Sequence, residues 1–138
     1  MPNILVVESQ RNTLLFLRIL LEQEGYEVMA TSDGYEAVKL FARTPSKMVI
    51  CNLLNPSRDG LKTIKEIKTI NRSAVAMIII SGSETIKELD YLEAALKHGV
   101  QATIAKPFDI VVFLKCIHTL LSEQALLTML GEEPPHCS

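Results

Sequence analysis

The sequence is organised around short, continuous apolar runs that alternate with longer amphipathic stretches. Continuous runs of this kind are typical of strands that are covered on both faces. Helical patterns separate them, at about residues 10–24, 34–43, 59–71, 85–98 and 109–130. The apolar runs are Ile4–Val7, Met48–Cys51, Ala76–Ile80 and Ala102–Ala105, with a weaker fifth run at Glu27–Ala30.

Strand and helix therefore alternate five times along the chain. This order predicts an α/β fold of the (βα)5 type, a doubly wound five-stranded parallel sheet with right-handed crossovers and helices on both faces. In such three-layer α/β/α sandwiches, ligands bind beyond the carboxyl ends of the strands. We therefore expect functional residues directly after the apolar runs.

The bulk properties exclude several classes of protein. The net charge of −2 provides no basic surface for nucleic acid. No apolar run is long enough to span a membrane, and the N-terminus does not resemble a signal peptide. The three cysteines, Cys51, Cys116 and Cys137, have no metal-binding spacing and suit a reducing compartment. We expect a cytoplasmic protein, with Cys51 buried and inert in its apolar run.

The residues at the strand ends carry a family resemblance. Glu8 and Ser9 follow the first run, Asn52 follows the third, Ser81 the fourth, and Lys106 the fifth. The segments ILVVES, NLLNPSRDGL, IIISGS and AKPF look like the four signature segments of response-regulator receiver domains, in the same order and spacing over residues 3 to about 121. The chain most resembles the chemotaxis-response-regulator type, with a flavodoxin-like fold.

The resemblance implies roles for these positions. In the family, an acidic pair after strand one and a phosphoacceptor aspartate after strand three hold magnesium, and a hydroxyl and a lysine bind the phosphoryl group. Ser81 matches the hydroxyl, and Lys106 and Pro107 match the lysine and the proline that follows it. Glu8 keeps one acid of the pair, and Asn52 stands at the phosphoacceptor position.

Two further positions depart from the family pattern. Ser9 replaces the second acid of the pair, and Thr103 stands where an aromatic residue often moves on activation. An amide is a poor nucleophile, so Asn52 should not form a phosphoryl adduct. With Glu8 as the remaining carboxylate, we expect no cofactor, weak or absent Mg²⁺ binding and no catalytic residues. Lys106 should pair with Glu8 and donate to the Asn52 carbonyl.

The chain thus resembles a degenerate receiver, or pseudo-receiver, of two-component (phosphorelay) signalling that is not an enzyme and acts by protein interaction. The last helix should pack on the sheet through Phe113, Leu114, Ile117, Leu120 and Leu121. Off that face lie Ile110, Val111, Val112 and Cys116, which we predict to form an interface. The first helix is also apolar nearly all round. The partner would be a histidine kinase, an output protein or a second copy bound through the first or last helix.

We divide the chain into a receiver-like domain, residues 1–124, and a helical extension with a polar tail, residues 125–138. Three alternatives stay open. The chain could take phosphate at Glu8 or Asp59, or it could be the regulatory part of a longer response regulator. It could also bind a nucleotide or flavin in the crevice, although Glu8-Ser9-Gln10 is no glycine-rich phosphate loop.

Overall fold

The computed structural model describes residues 3–55, 59–70, 75–82 and 86–130. Strands and helices alternate along the chain as the sequence predicts, in a flavodoxin-like α/β fold. The elements are β1 Ile4–Val7, α1 Arg11–Gln23, β2 Val28–Thr31, α2 Gly34–Arg43, β3 Met48–Asn52, α3 Gly60–Ile70, β4 Ala76–Ser81, α4 Ile86–Lys97, β5 Ala102–Ala105 and α5 Ile110–Leu130.

The five strands form one parallel sheet in the order β2-β1-β3-β4-β5. The register places Val7 beside both Thr31 and Cys51, so β1 has a neighbour on each side. Chain order reverses between β1 and β3, because β2 lies on one side of β1 and the later strands lie on the other. This reversal opens a crevice at the carboxyl ends of β1 and β3.

The strand boundaries differ from the predicted ones by a single residue. β2 begins at Val28 and not at Glu27. β3 and β4 each continue by one residue, so Asn52 and Ser81 are the last residues of their strands. Both polar residues are therefore fixed by the hydrogen bonds of the sheet at the edge of the crevice.

Aspartate side chains cap the N-termini of α2, α3 and α5. Asp33 accepts a hydrogen bond from the Tyr35 amide at 2.9 Å, and Asp59 accepts one from the Lys62 amide at 2.8 Å. Asp109 accepts from the first amides of α5. Each carboxylate satisfies helix N–H groups that have no partner within the helix. These caps fix where the loops after β2, β3 and β5 end.

Two apolar cores lie on opposite faces of the sheet. One packs α2, α3 and α4 against side chains such as Val49, and the other packs α1 and α5 against side chains such as Ile50. The predicted sheet-facing residues of α5 all belong to the second core, where Phe113, Ile117 and Leu120 are buried and Leu114 and Leu121 are half-buried. That prediction is confirmed.

The helix α5 continues to Leu130, nine residues past Leu121. Among the α5 residues whose side chains are described, Leu121 is the last that packs against the second core. Leu126, in the extended part, is 56% exposed. Within the described ranges, no helix is long and apolar enough to cross a membrane. The polar tail, with Cys137, lies outside the described residues.

Candidate functional site

The strand ends meet around a cavity of about 250 Å³. These residues come from segments that are far apart along the chain, and the parallel sheet brings them to one edge. The cavity is lined by Glu8, Ser9, Gln10, Asn52, Leu53, Leu54, Ile80, Gly82 and Lys106. Four of the predicted site residues, Glu8, Ser9, Asn52 and Lys106, are thus neighbours.

A buried ion pair joins the two charged residues of the cavity. The Lys106 Nζ atom lies 2.6 Å from Glu8 Oε1, and the two side chains are 23% and 2% exposed. The other carboxylate oxygen of Glu8 accepts a hydrogen bond from the Gln10 amide at 2.9 Å. The ammonium also donates to Gln10 Oε1 at 3.2 Å. Each charge therefore has a compensating partner within the site.

The Asn52 side chain is hydrogen-bonded at both of its polar atoms and is 6% exposed. Its Nδ2 atom donates to Ser9 Oγ and to the Leu54 carbonyl, each at 3.1 Å. Its Oδ1 atom accepts a hydrogen bond from Asn55 Nδ2 at 3.2 Å. The amide is thus held by neutral groups on both sides.

The predicted hydrogen bond from Lys106 to the Asn52 carbonyl is wrong. Among the described residues, the ammonium donates to the Glu8 carboxylate and to Gln10 Oε1, and not to Asn52 Oδ1. The side-chain oxygen of Asn52, Oδ1, accepts its hydrogen bond from Asn55 Nδ2 instead.

Asn55 is a site residue that the sequence analysis missed. It is 7% exposed, and its Nδ2 atom donates to the Ser32 carbonyl at 2.9 Å as well as to Asn52. It therefore connects the end of β3 to the loop after β2. A signal was available, because Asn55 is a polar residue three positions after Asn52 in an otherwise apolar segment.

The remaining carried-over positions lie at or near the crevice. Ser81 is 1% exposed, and its carbonyl accepts a hydrogen bond from the Lys106 amide at 2.8 Å. Among the described residues, no group hydrogen-bonds to the Ser81 hydroxyl. Pro107 is exposed and follows a cis peptide bond with Lys106. The structure therefore places Lys106, but not the Ser81 hydroxyl, in the hydrogen-bond network of the cavity.

Thr103 lies apart from this cavity. It is half-buried on β5 and lines a second, apolar cavity of about 200 Å³ between β5 and α5. Phe108, Val112 and Cys116 are on the walls of that second cavity. A change at Thr103 would thus affect the β5–α5 edge and not the residues around Asn52.

The predicted interface residues of α5 differ in exposure. Ile110 is 42% exposed, Val111 62% and Val112 64%. Cys116 is half-buried, packs against the second core and lies on the wall of the second cavity. On α1, the exposed apolar side chains are Leu15, Phe16 and Ile19.

The residues around the cavity do not fit a magnesium ion. Mg²⁺ needs hard, preferably anionic oxygen ligands in octahedral geometry. The Glu8 carboxylate is held by Lys106 and by the Gln10 amide, and the Ser9 hydroxyl accepts from Asn52. Across the described ranges, no group of three or more His, Cys, Asp or Glu side chains could hold a metal ion.

Burial raises the pKa of the Cys51 thiol, which lies next to Asn52 in the sheet. Its pKa is about 12, chiefly because burial disfavours the thiolate, with smaller contributions from the Glu8 and Asp59 carboxylates. A thiol with such a pKa is protonated at neutral pH and is a poor nucleophile. The expectation that Cys51 is buried is confirmed.

Comparison with known proteins agrees with this geometry. A family model described as the response regulator receiver domain matches residues 4–118. The response regulator ArlR of Staphylococcus saprophyticus is 30% identical over 124 residues, which are 90% of this chain and 54% of that protein. The transcriptional regulatory protein ZraR of Klebsiella oxytoca is 33% identical over 132 residues, 96% of this chain and 28% of that protein. The chain spans about half the length, or less, of these relatives.

Solved structures show the same fold. A response regulator receiver domain protein from Clostridium thermocellum superposes with a TM-score of 0.82 at 27% identity, over 92% of this chain and 99% of that one. A CheY-like receiver domain protein from Methanospirillum hungatei gives a TM-score of 0.82 at 21% identity, over 91% and 98%. The family match and the strand-end crevice together show that this chain belongs to the response regulator receiver domains, the signalling modules of two-component systems that interact with histidine kinases or output domains.

Proposed function

We propose that this receiver domain does not form an acyl phosphate and works by binding another signalling protein or a second copy of itself. The observation that carries the proposal is Asn52 at the phosphoacceptor position, with its amide hydrogen-bonded to Ser9, Leu54 and Asn55. The division into a receiver-like domain, residues 1–124, and an extension, residues 125–138, is part of the same proposal.

The chemistry of the Asn52 side chain disfavours phosphorylation. Acyl phosphate formation needs an anionic carboxylate oxygen as the nucleophile. The amide oxygen of Asn52 is neutral, and its nitrogen lone pair is delocalised into the carbonyl. Both polar atoms are also occupied by hydrogen bonds in a side chain that is 6% exposed. Neither atom can attack a phosphoryl donor at a useful rate.

The charges around the cavity also disfavour phosphoryl transfer. Phosphoryl transfer gathers negative charge that a metal ion and a lysine must neutralise. Lys106 is already neutralised by Glu8, and the donor set around the cavity does not fit Mg²⁺. The site therefore supplies neither of the charges that the transition state needs, and we expect weak or absent Mg²⁺ binding.

The two alternative acceptors have structural roles of their own. The Glu8 carboxylate accepts hydrogen bonds from Lys106 and the Gln10 amide and is 2% exposed. Asp59 caps the first turn of α3 through the Lys62 amide. Phosphorylation of either side chain would break these contacts. We therefore favour a domain that is not phosphorylated over one that takes phosphate at Glu8 or Asp59.

The partner would bind through the exposed apolar side chains of α1 and α5. Phe16 and Ile19 on α1, and Val111 and Val112 on α5, are between 44% and 64% exposed. Burial of such side chains in an interface contributes about 25 cal/mol for each Å² of apolar surface removed from water. We expect a protein partner, a histidine kinase, an output protein or a second copy, and no enzymatic reaction.

Intact-mass spectrometry after incubation with phosphoramidate or acetyl phosphate and Mg²⁺ tests the proposal. The wild-type chain should show no phosphoryl adduct. The matched control is the double variant Ser9→Asp plus Asn52→Asp, which restores two acids and should gain one phosphoryl group that hydroxylamine releases, as an acyl phosphate requires. A wild-type adduct would overturn the proposal, and peptide mapping would then show whether Glu8 or Asp59 carries it.

A further inference from the structure

One face of α5 points away from the core and carries a regular series of exposed residues. Thr119 lies two positions from the buried Ile117, about 200° around the helix. On the same side, residues three and four positions apart line up along the helix. We call this series the outer stripe; it consists of Val112, Lys115, Thr119, Glu123 and Leu126, all of them exposed.

The outer stripe is symmetric about Thr119. Its successive spacings are three, four, four and three residues. Its side chains are apolar, basic, polar, acidic and apolar in that order. Reversing the direction of the helix therefore exchanges Val112 with Leu126 and Lys115 with Glu123. An apolar side chain then takes the place of an apolar one, and the two opposite charges change places.

Two copies of the outer stripe are complementary in charge and apolar contact when the two helices run antiparallel. In an antiparallel pair of α5 helices with a two-fold axis at Thr119, Lys115 lies opposite Glu123 of the partner subunit, and the symmetry repeats this contact. Val112 packs against Leu126 of the partner subunit at both ends. A parallel pair in register would place Lys115 opposite its own copy, which is unfavourable. The charges thus select the antiparallel arrangement.

The exposure of the end residues supports the same geometry. Val112 is 64% and Leu126 56% exposed, and they lie about 21 Å apart along the helix at 1.5 Å per residue. Leu126 lies in the part of α5 that continues beyond Leu121. Without that extension, Val112 would have no apolar counterpart in an antiparallel pair.

We propose that the partner of α5 is a second copy of this chain, bound through the outer stripe as an antiparallel two-fold helix pair. The proposal rests on the proposed function as an interaction module, and it names the partner. A single helix pair buries less surface than a standard interface of about 1,600 Å², so the dimer is weak and depends on concentration.

Sedimentation equilibrium on the full 138-residue chain, from about 10 µM to about 500 µM, measures the dimer. The wild type should move from one chain toward two over this range. Lys115→Glu should raise the dimer Kd by about tenfold or more, because two attractive contacts become repulsive. Lys115→Glu with Glu123→Lys should restore the Kd to within about threefold, since both contacts are re-formed with their signs exchanged.

Lys39→Glu is the control, because it makes the same charge change on the exposed side of α2. It should leave the Kd unchanged, and circular dichroism should show all variants folded. A monomeric wild type at the highest concentration overturns the pairing, as does a dimer that Lys115→Glu leaves intact or that the double variant does not restore. Phosphorylation of the wild type would overturn the proposed function alone, so the two failures are distinguishable.

Discussion

At the scale of single residues, the cavity at the strand ends is a network in which each charge or amide is satisfied by a near neighbour. Glu8 is 2% exposed and is held by Lys106 and the Gln10 amide. Asn52 is held by Ser9 and Asn55. A buried carboxylate without its cation is costly, because desolvation disfavours the charged form. The contribution of Lys106 to stability therefore depends on the presence of Glu8.

Replacing Lys106 alone should destabilise the fold more than replacing both partners. Lys106→Met leaves the Glu8 carboxylate buried without its cation and should lower the free energy of unfolding by about 3 kcal/mol. Glu8→Gln with Lys106→Met removes the charge as well and should recover more than half of that loss. Urea unfolding of the two variants and of Glu8→Gln alone closes the double-mutant cycle. A loss in the double variant equal to the sum of the two single losses would show that the ion pair is not coupled.

At the scale of elements, the turn from β3 into α3 shapes the floor of the cavity. Gly60 begins α3, and its amide donates to the Leu53 carbonyl at 2.8 Å. A Cβ atom at this position would clash with the backbone carbonyl oxygen of Asn52 and lie 3.1 Å from the Leu53 Cα atom. The helix can therefore start this close to the strand only because the residue has no side chain.

Gly60→Ala should thus destabilise the domain, because the added Cβ atom would clash with the backbone of Asn52 and Leu53. We expect a loss of about 2 kcal/mol in the free energy of unfolding, since neither β3 nor α3 can shift without disturbing the sheet. Gly82→Ala is the matched control, because a Cβ atom there meets nothing within 4 Å. It should change stability by less than about 0.5 kcal/mol. Urea denaturation compares the two, and a Gly60→Ala variant as stable as the control contradicts the close approach.

At the scale of the whole molecule, two cores share one sheet, and we expect a domain of this size to unfold in one cooperative transition, so that a group at the centre of the sheet reports on global stability. Cys51 is such a group, with its pKa raised to about 12 from an ordinary value of 9.0. Above pH 9 the unfolded chain releases this proton while the folded chain retains it. The folded state then binds more protons, and stability falls as the pH rises.

The contribution of Cys51 is fully present below pH 9 and is lost as the pH rises toward 12. The wild type should lose about 1.4 kcal/mol more per pH unit in this range than Cys51→Ala does. Tyr26, whose pKa burial also raises, shifts stability in the same direction in both proteins and cancels in the difference. Urea unfolding at several pH values measures the two slopes, and parallel slopes would contradict the assignment to Cys51.

The sequence by itself determined the order of the elements, their bounds to within about one residue, and the residues at the strand ends. These are local properties: a covered strand needs a continuous apolar run, and a helix needs apolar residues at helical spacing. The expectation that Glu8 and Lys106 would pair was also confirmed, because parallel strands bring their carboxyl ends to one edge and opposite charges attract.

Only the tertiary structure decided which atoms meet within that edge. Among the described residues, the Asn52 Oδ1 atom accepts from Asn55 and not from Lys106, the Ser81 hydroxyl makes no hydrogen bond in the network, and Cys116 packs against the second core. Each outcome depends on distances of about 3 Å between side chains, whereas a sequence pattern places a residue only on a face or at an edge. The competition of several donors for one acceptor is settled by geometry, and geometry exists only once the sheet has formed.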